Sequence, residues 1–365
     1  MIDVEQERIA QGVSDDEWSE DTRYCHALRV ARVVEETHDA MSIVFEVPES
    51  LRGEFAYEAG QFLSFKVPFE GRVLTRSYSL SSSPEVDGAH KVTVKRVDDG
   101  RISNWMNDRV REGSRLSVVP PAGFFVLDPE SKRDLVLWSG GSGITPCISI
   151  IKTALETTGR KMLLVYANRD ARSIIFQTEL KALASAHPDR LRVAHRLDDV
   201  DGFLTAPDVA TQFGGDLERE HYLCGPGAFM DTVEDALHEA GVARDRIHIE
   251  RFVSPHDHVG EAPPPTPPTP DEVAPASITI VLDGQEHEVP YEAGERVLDA
   301  ARRAGLDPPF SCEEGYCSCC MAKCGSGEVK MATNDCLTPD LLEERWVLTC
   351  QSRCTGGKVR IEYPD

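Results

Sequence analysis

Five of the eleven cysteines of this 365-residue chain fall within thirteen positions, in the stretch FSCEEGYCSCCMAKC at residues 310–324. Such a concentration could form disulfides, hold a zinc ion, hold an iron–sulfur cluster, or hold nothing. Residues 1–23 show neither a basic region nor an apolar run of the secretory kind. We therefore expect a cytoplasmic protein, in a reducing compartment that disfavours structural disulfides and favours metal ligation.

The spacing of these cysteines distinguishes an iron–sulfur site from a zinc site. Cys312, Cys317 and Cys320 form C-x4-C-x2-C, and Cys350 follows after 29 intervening residues. This spacing matches plant-type [2Fe–2S] sites, whereas a zinc ribbon uses paired C-x2-C knuckles, of which the chain supplies one. We predict these four cysteines as the cluster ligands. The sequence assigns no role to the other cysteines nearby, which are Cys319, Cys324, Cys336 and Cys354.

A proline-rich segment divides the chain. Residues 254–276 carry seven prolines between Pro263 and Pro275 and show no apolar periodicity, which is typical of a semi-rigid linker. A self-contained domain is expected at 277–365. Residues 1–23 hold eight acidic residues against two arginines, so we predict a disordered acidic tail.

Hydrophobic patterning changes once before the linker. Residues 24–130 contain short alternating runs, such as FLSFKV and KVTVKRV, separated by Gly, Pro and Asp, which is typical of an antiparallel β-barrel. Residues 131–253 alternate apolar strands, such as MLLVYAN, with helical stretches, which indicates a parallel sheet with crossover helices.

Composition also narrows the range of partners. The formal net charge of −23 argues against nucleic acid, because phosphate binding relies on lysine and arginine. No segment approaches the roughly 18 apolar residues that a membrane span needs, so no membrane insertion is expected.

Three motifs in the first two domains carry candidate cofactor chemistry. The glycine-rich turn at 140–146 leads from a strand into a helix, where backbone N–H groups can meet a pyrophosphate. Cys224 ends a later strand, at the edge where such sheets bind ligands. The strand Arg76–Ser79 offers a guanidinium, an aromatic ring and hydroxyls. A plain structural turn, an inert buried cysteine and a strand edge with a surface arginine remain open as alternatives.

Taken together and in order, these and other short motifs resemble the ferredoxin–NADP reductase superfamily. The motifs are RSYS (76–79), GRISNW (100–105), PAGFF (121–125), GGSGITP (140–146), YANR (166–169), CGP (224–226) and ERF (250–252). The resemblance implies that the RSYS strand binds FAD, with Tyr78 against the flavin ring and Ser79 near its N5. It implies further that Gly100 and Ser103 support the flavin pyrophosphate, and that Cys224 lies beside the nicotinamide ring.

Carried over position by position, the resemblance yields a set of site residues. Ser79 and Cys224 are the candidate catalytic residues. The candidate cofactor-binding residues are Arg76, Ser77, Tyr78, Ser79, Lys95, Gly100, Ser103, Gly141, Gly143, Thr145, Arg169, Cys224, Gly225 and Pro226.

The last domain resembles plant-type ferredoxins over residues 277–365. The segment ITIVLDGQEHEVPYEAGERVLDAARRAGL indicates strand, turn, strand and helix, and WVLTCQSR is predicted to place Cys350 on a late strand. The expected fold is thus multidomain: an antiparallel β-barrel for FAD, an α/β parallel-sheet nucleotide domain, and an α+β β-grasp ferredoxin domain.

Combining the three domains predicts an electron-transfer chain. NAD(P)H releases two electrons as a hydride, whereas a [2Fe–2S] cluster accepts one at a time, so FAD must stand between them. The order of the domains, with the reductase first and the ferredoxin last, resembles that of the reductase components of multicomponent oxygenases. This resemblance implies a terminal oxygenase on a separate chain. The resemblance is closest to the reductases of 3-ketosteroid 9α-hydroxylases in steroid degradation, with phenylacetyl-CoA epoxidase reductases second.

Two functions of other classes stay open. A self-sufficient diaphorase or a flavohaem-like enzyme would need its own oxygen-binding or substrate domain, and all three domains are already assigned to electron transfer. A non-enzymatic redox sensor would not need both cofactor sites and a hydride donor.

The choice of dinucleotide is predicted from the segment YANRDARSIIF. Arg169 and Arg172 flank Asp170, so charge alone favours tolerance of the NADPH 2′-phosphate. The resemblance favours NADH, and we expect NADH with some use of NADPH.

Overall fold

The computed structural model describes residues 25–69, 72–251 and 274–364, apart from 311, 312, 314, 316, 335 and 338. The chain divides into two compact units between residues 252 and 253. The predicted acidic tail, and nearly all of the predicted linker, lie outside the described residues. No described helix is long and apolar enough to cross a membrane.

The first unit begins with a six-stranded antiparallel sheet in the order β4-β3-β6-β1-β2-β5. Leu80, directly after β4, pairs with Val92 on β5, so the two edges of the sheet meet and close it into a barrel. Leu28, Phe45, Phe65 and the other inward side chains fill the interior. The strands are β1 (His26–Thr37), β2 (Ala40–Glu46), β3 (Phe62–Phe69), β4 (Arg72–Ser79), β5 (His90–Lys95) and β6 (Arg115–Ala122), and helix α1 (Arg101–Arg109) follows β5.

The same unit continues into a five-stranded parallel sheet in the order β11-β10-β7-β8-β9. Helices cover both faces, and a separate hydrophobic cluster lies on each side. The strands are β7 (Leu135–Gly140), β8 (Met162–Asn168), β9 (Leu191–Leu197), β10 (Glu220–Gly225) and β11 (Ile247–Arg251). The helices are α2 (Ile144–Thr157), α3 (Gln177–Ala186), α4 (Asp198–Asp201), α5 (Ala206–Phe213) and α6 (Gly227–Glu239).

This strand order positions the site. The chain runs outward from β7 through β8 to β9, then returns to the other side of β7 with β10 and β11, so the order reverses between β7 and β10. Ligands of open α/β sheets bind at the carboxyl ends of the strands where the order reverses. The glycine turn that follows β7 and the Cys-Gly-Pro segment that ends β10 meet at that point.

The second unit is a mixed five-stranded sheet in the order β13-β12-β16-β14-β15, with β12 and β16 parallel and the other pairs antiparallel. Helix α7 packs on it through buried Val297, Ala300 and Ala301. The elements are β12 (Ser277–Leu282), β13 (Gln285–Pro290), α7 (Val297–Arg303), β14 (Met321–Met331), α8 (Pro339–Glu343), β15 (Trp346–Leu348) and β16 (Ser352–Glu362).

The expected fold class is confirmed in all three domains, with one local correction. Cys350 lies in the turn between β15 and β16, not on a strand as the sequence suggested. A strand would commit its backbone to ladder hydrogen bonds on both sides, whereas the turn carries the buried Cys350 thiol toward the cysteine-rich loop.

Candidate active site and cluster-binding loop

The predicted flavin-binding strand is β4, which pairs with β3 so that Tyr78 faces Leu63 and Ser79 faces Phe62. Side chains alternate along a strand, so Arg76 and Tyr78 lie on one face. The Tyr78 ring packs against Phe65 with the ring centroids 5.9 Å apart. Burial raises the Tyr78 pKa above its ordinary value, so the phenol stays protonated.

The serines of this strand lie on its other face. The Ser77 hydroxyl shares a hydrogen bond of 2.6 Å with that of Ser64 on β3. Ser79 is buried at the end of the strand. On the opposite face, one Arg76 nitrogen donates to the Thr75 carbonyl at 2.7 Å.

The predicted flavin-pyrophosphate support is a tight turn at the start of α1. Ser103 Oγ accepts a hydrogen bond from Val97 N at 3.2 Å and keeps its own proton to donate. A Cβ on Gly100 would lie 2.9 Å from Val97 Cβ and 2.6 Å from Ser103 Oγ, so a larger residue would displace this turn.

The predicted dinucleotide turn is built by close backbone approach. A Cβ on Gly143 would lie 2.0 Å from the Cys224 carbonyl oxygen, so the turn can contact β10 only without a side chain at that position. Gly141 adopts a φ of 53°, and Tyr166 Oη donates to its carbonyl at 3.0 Å. Thr145 Oγ1 donates to the Ser142 carbonyl at 3.0 Å in the first turn of α2. The result is a side-chain-free cradle at the N-terminus of a 14-residue helix.

Three side chains from different elements converge at the carboxyl end of β10. Cys224 is fully buried and lies directly beside Glu250 in the parallel ladder of β10 and β11. Ser79 Oγ, from the barrel, donates to Glu250 Oε2 at 3.1 Å. Burial raises the Glu250 pKa to about 8 against the opposing effect of the Ser79 hydrogen bond. Burial, with Glu250 and Cys147 nearby, also holds the Cys224 thiol pKa well above its ordinary value.

The sequence-based site set did not include Glu250, although both candidate catalytic residues adjoin it. The available signal was the position of the ERF motif at the end of the last strand of a parallel sheet. A carboxyl group there lies at the same edge as the glycine turn and the Cys-Gly-Pro segment.

Lys95 and Arg169 lie together, but a barrel carboxylate that the sequence did not single out holds them. Asp39 Oδ2 accepts from Arg169 Nη2 at 2.8 Å and lies 3.8 Å from Lys95 Nζ. Lys95 Nζ would be 3.6 Å from a Cβ on Gly141, so the ammonium lies over the glycine turn. Burial lowers the Lys95 pKa, and Asp39 opposes that effect.

The Asp170 side chain forms its hydrogen bonds with the residues that directly follow it. Its Oδ1 accepts from Arg172 N, Ser173 N and Ser173 Oγ at 2.8, 3.0 and 3.1 Å, as the cap of a short 3-10 turn. These hydrogen bonds, with the Arg172 charge, lower the Asp170 pKa although its desolvation opposes them.

The cysteine-rich loop and the turn after β15 hold three of the four predicted ligands in buried positions. Cys317, Cys320 and Cys350 are all buried, and Cys312 lies outside the described residues. A hydrogen bond with Cys320, together with burial, raises the Cys350 pKa, so these two thiols face each other. Without Cys312, the described part of the chain assembles no group of three metal-binding side chains. Thiolate is a suitable ligand for iron–sulfur clusters, so the donor set fits.

Gln351 links the turn after β15 to the cysteine-rich loop. Its Nε2 lies 3.5 Å from Cys350 Sγ and donates to the Glu313 carbonyl at 2.9 Å. Gly315 has a φ of 88°, and a Cβ there would lie 3.0 Å from Gln351 Cγ. The loop therefore wraps closely around the space beside Cys350.

An arginine of α7 clamps the start of the loop. Arg302 Nη1 and Nη2 donate to the two Glu313 carboxylate oxygens at 3.1 and 3.2 Å, a bidentate pair. The same guanidinium lies 3.6 Å from the centroid of the Phe310 ring. Glu313 has a φ of 57°, and this clamp holds it in that left-handed conformation.

Comparison with family models matches all three domains. The oxidoreductase FAD-binding domain matches residues 27–127, the oxidoreductase NAD-binding domain matches 137–235, and the 2Fe-2S iron-sulfur cluster binding domain matches 280–355. The expected FAD, NAD and [2Fe–2S] cofactors are thereby confirmed.

Curated relatives match over nearly the whole chain. The ferredoxin reductase component of 3-ketosteroid-9-alpha-monooxygenase from Rhodococcus rhodochrous is 44% identical, covering 92% of this chain and 96% of the relative. Its counterpart from Mycolicibacterium smegmatis is 43% identical over 93% and 97%. A component of 1,2-phenylacetyl-CoA epoxidase from Escherichia coli is 35% identical over 93% and 97%.

Solved structures also match over nearly the whole chain. Phthalate dioxygenase reductase, described as a modular structure for electron transfer from pyridine nucleotides to [2Fe–2S], matches with a TM-score of 0.58 and 26% identity over 93% of this chain and 98% of that one. A full-length cytochrome P450 from Tepidiphilus thermophilus matches with a TM-score of 0.67 and 27% identity; this chain spans 42% of the P450. The chain therefore belongs to the flavin- and [2Fe–2S]-dependent ferredoxin reductases that serve as reductase components of multicomponent oxygenases.

Proposed function

We propose that this reductase supplies electrons from NADH to a separate terminal oxygenase that hydroxylates a 3-ketosteroid. The observation that carries the proposal is the identity of 42–44% to three 3-ketosteroid-9-alpha-monooxygenase reductases over 92–93% of the chain. Identity to the phenylacetyl-CoA epoxidase component is 35%, which makes that oxygenase the second candidate.

In this proposal the barrel holds FAD through β4 and the start of α1. Arg76 supplies a guanidinium for a phosphate and Tyr78 a ring for the flavin, while Ser77 holds the strand to β3. Ser79 presents its hydroxyl at the domain boundary, and Gly100 and Ser103 form the turn for the pyrophosphate.

The dinucleotide would enter at the glycine turn of the α/β domain. Gly141, Gly143 and Thr145 form the cradle at the start of α2, where backbone N–H groups face an anion. The segment Cys224–Pro226 closes the other side. A Cβ on Gly225 would lie 2.9 Å from Gly140 N, so this wall also depends on close backbone approach.

The reacting edge is formed by Ser79, Cys224 and Glu250. FAD held at this edge would supply the chemistry that links a two-electron hydride donor to a one-electron acceptor. At neutral pH Glu250 is protonated and accepts a hydrogen bond from the Ser79 hydroxyl, so this edge carries no formal charge. The buried Cys224 thiol likewise stays neutral and packs as a small apolar wall.

Charges near Arg169 support the preference for NADH. Asp39 pairs with Arg169, which weakens the attraction of this arginine for a 2′-phosphate, and the Asp170 carboxylate adds a negative charge in the next position. Asp199 N donates to the Arg169 carbonyl at 3.1 Å, which brings the acidic helix α4 beside the end of β8. Negative charge at this edge opposes a bound phosphate.

Steady-state turnover with purified oxygenases tests the partner. We expect steroid 9α-hydroxylation when the reductase is combined with NADH and a 3-ketosteroid oxygenase, and little turnover with a phenylacetyl-CoA epoxidase. The opposite ranking would replace the steroid partner by the second candidate. Negligible NADH:ferricyanide turnover by the FAD-loaded protein would instead favour a redox sensor. A kcat/KM ratio that favours NADPH by more than about tenfold would reject the NADH preference.

Spectroscopy of cysteine variants tests the cluster ligands. We expect Cys350→Ser to remove the EPR signal of the reduced cluster while flavin reduction by NADH persists, because the two units fold separately. Cys324→Ser is the matched control, since Cys324 is also buried but belongs to the hydrophobic core of the second unit. An undiminished signal in Cys350→Ser would remove Cys350 from the ligand set.

A further inference from the structure

A polar seam joins the barrel to the α/β domain behind the active site. On α2, Ser149, Lys152 and Thr153 occupy positions three and four apart, so they share one face of the helix. That face meets the loop directly after β4. The interdomain seam is formed by Ser81, Ser82, Ser83, Asp87, Ser149, Lys152 and Thr153.

Hydrogen bonds run across the whole length of this seam. Ser149 Oγ donates to the Ser82 carbonyl at 2.6 Å, and the hydroxyls of Ser83 and Thr153 share a hydrogen bond of 2.7 Å. Lys152 Nζ donates to the Ser81 carbonyl at 3.1 Å. An apolar contact could slide, but these directional bonds specify one register between the two domains.

Lys152 is the centre of the seam and has an unusual environment for a lysine. Only 4% of its surface is exposed. Its ammonium contacts Asp87 Oδ2 at 2.5 Å and Glu179 Oε1 at 3.2 Å, in addition to the Ser81 carbonyl. Three donors thus meet three acceptors, and Asp87 Oδ2 is itself held by Ser83 N at 2.7 Å.

The seam is connected through the chain to both predicted cofactor sites. Ser81 follows Ser79 by two residues, so the loop continues directly from the predicted flavin strand. Lys152 lies eight residues after Ile144, about 12 Å along the helix that begins at the dinucleotide turn. A change in the seam would therefore tilt the dinucleotide turn relative to the flavin strand.

We propose that Lys152 is a positioning residue for hydride transfer, which fixes the dinucleotide helix against the flavin strand through the interdomain seam. The inference rests on the proposed hydride transfer from NADH to FAD and adds a residue that touches neither cofactor. Hydride transfer depends steeply on the separation and alignment of the reacting atoms, so a small tilt lowers its rate. Binding of each cofactor within its own domain depends much less on that tilt.

The test compares Lys152→Met with Lys161→Met in the complete, FAD-loaded chain. Lys161 is an exposed lysine of the same domain, so its variant controls for the loss of one charge. Stopped-flow flavin reduction measures hydride transfer, titration measures NAD⁺ affinity, and FAD content is determined after gel filtration. We expect hydride transfer to fall at least tenfold in Lys152→Met, with NAD⁺ affinity and FAD content within about twofold of the control.

Hydrogen exchange supplies a readout that does not depend on turnover. We expect faster exchange in Lys152→Met over residues 81–87 and over residues 149–157 of α2, with β1 and β11 unchanged. A loss of stability without a positioning role would instead raise exchange across both domains.

Asp87→Asn keeps the lysine and weakens one of its partners, so it serves if Lys152→Met does not fold. We expect the same pattern with a smaller effect. Hydride transfer within twofold of the control in the folded Lys152 variant, or in Asp87→Asn if that variant is used, overturns the proposal. A fall in the rate of hydride transfer also overturns the proposal if NAD⁺ affinity or FAD content falls by a matching factor. Failure of the wild-type chain to reduce its flavin with NADH would refute the proposed function instead.

Discussion

Replacing Glu250 by glutamine should change how the protein responds to pH. Glu250 is partly buried beside Cys224 and accepts a hydrogen bond from Ser79, and burial raises its pKa from about 4.5 to about 8. At pH 7 roughly ten protonated molecules then exist for each ionised one. Glutamine keeps the shape of the protonated carboxyl group and cannot ionise.

The sign of the effect on stability follows from proton binding. The folded chain holds the Glu250 proton more tightly than the unfolded chain, so the stabilisation is complete below about pH 4.5 and is lost as the pH rises through about 8. A fully shielded carboxyl would contribute roughly 5 kcal/mol for such a shift. Because the side chain is only partly buried, solvent screening reduces this to on the order of 2 kcal/mol.

Thermal unfolding of the FAD-loaded protein between pH 5 and pH 9 measures this difference. About 2 kcal/mol corresponds to roughly 4–8 °C in Tm for a unit of this size. We expect the Tm of the wild type to fall by that much more than the Tm of Glu250→Gln across this range. Parallel Tm curves for the two proteins would refute the assigned pKa. Stopped-flow flavin reduction should likewise show an apparent pKa near 8 in the wild type only.

Two further predictions concern backbone approach and the cluster loop. Gly143→Ala should cost about 1–3 kcal/mol in unfolding free energy and slow flavin reduction, because its Cβ would lie 2.0 Å from the Cys224 carbonyl oxygen. Gly159→Ala, with no atom within 4 Å of its Cβ, is the control, and equal behaviour of the two in guanidinium unfolding would contradict the argument. Arg302→Glu and Glu313→Arg should each speed loss of the cluster and shift its midpoint potential, whereas the double variant should restore both in part. Additive effects in this cycle would show that the pair does not hold the loop.

Much of the fold follows from local patterns in the sequence. Alternating runs such as FLSFKV predict β3, and the change to apolar strands separated by helices predicts the parallel sheet. Spacing alone predicts the cysteine-rich loop, because a cluster needs its ligands at fixed separations. These features are encoded within a few residues of each other.

The contacts that organise the site are not encoded locally. Glu250 meets Ser79 across 171 positions, and Arg169 meets Asp39 across 130, so no short window contains both partners. In the sequence pattern, Lys152 is an ordinary polar position on an amphipathic helix. Only the packing of the barrel on α2 buries it. The prediction that Cys350 lies on a strand was wrong for a related reason. WVLTCQSR has strand propensity throughout, and only tertiary structure places the turn.

The order of the C-terminal sheet leaves β13 and β15 at its two open edges, where another chain could add a strand. β15 has only three residues, which is too short a template for stable pairing. β13 carries Glu286 and Glu288 and ends in Pro290, which lacks a backbone N–H to donate. Copies of this domain are thereby kept from pairing edge to edge, so the chain can remain monodisperse at high concentration.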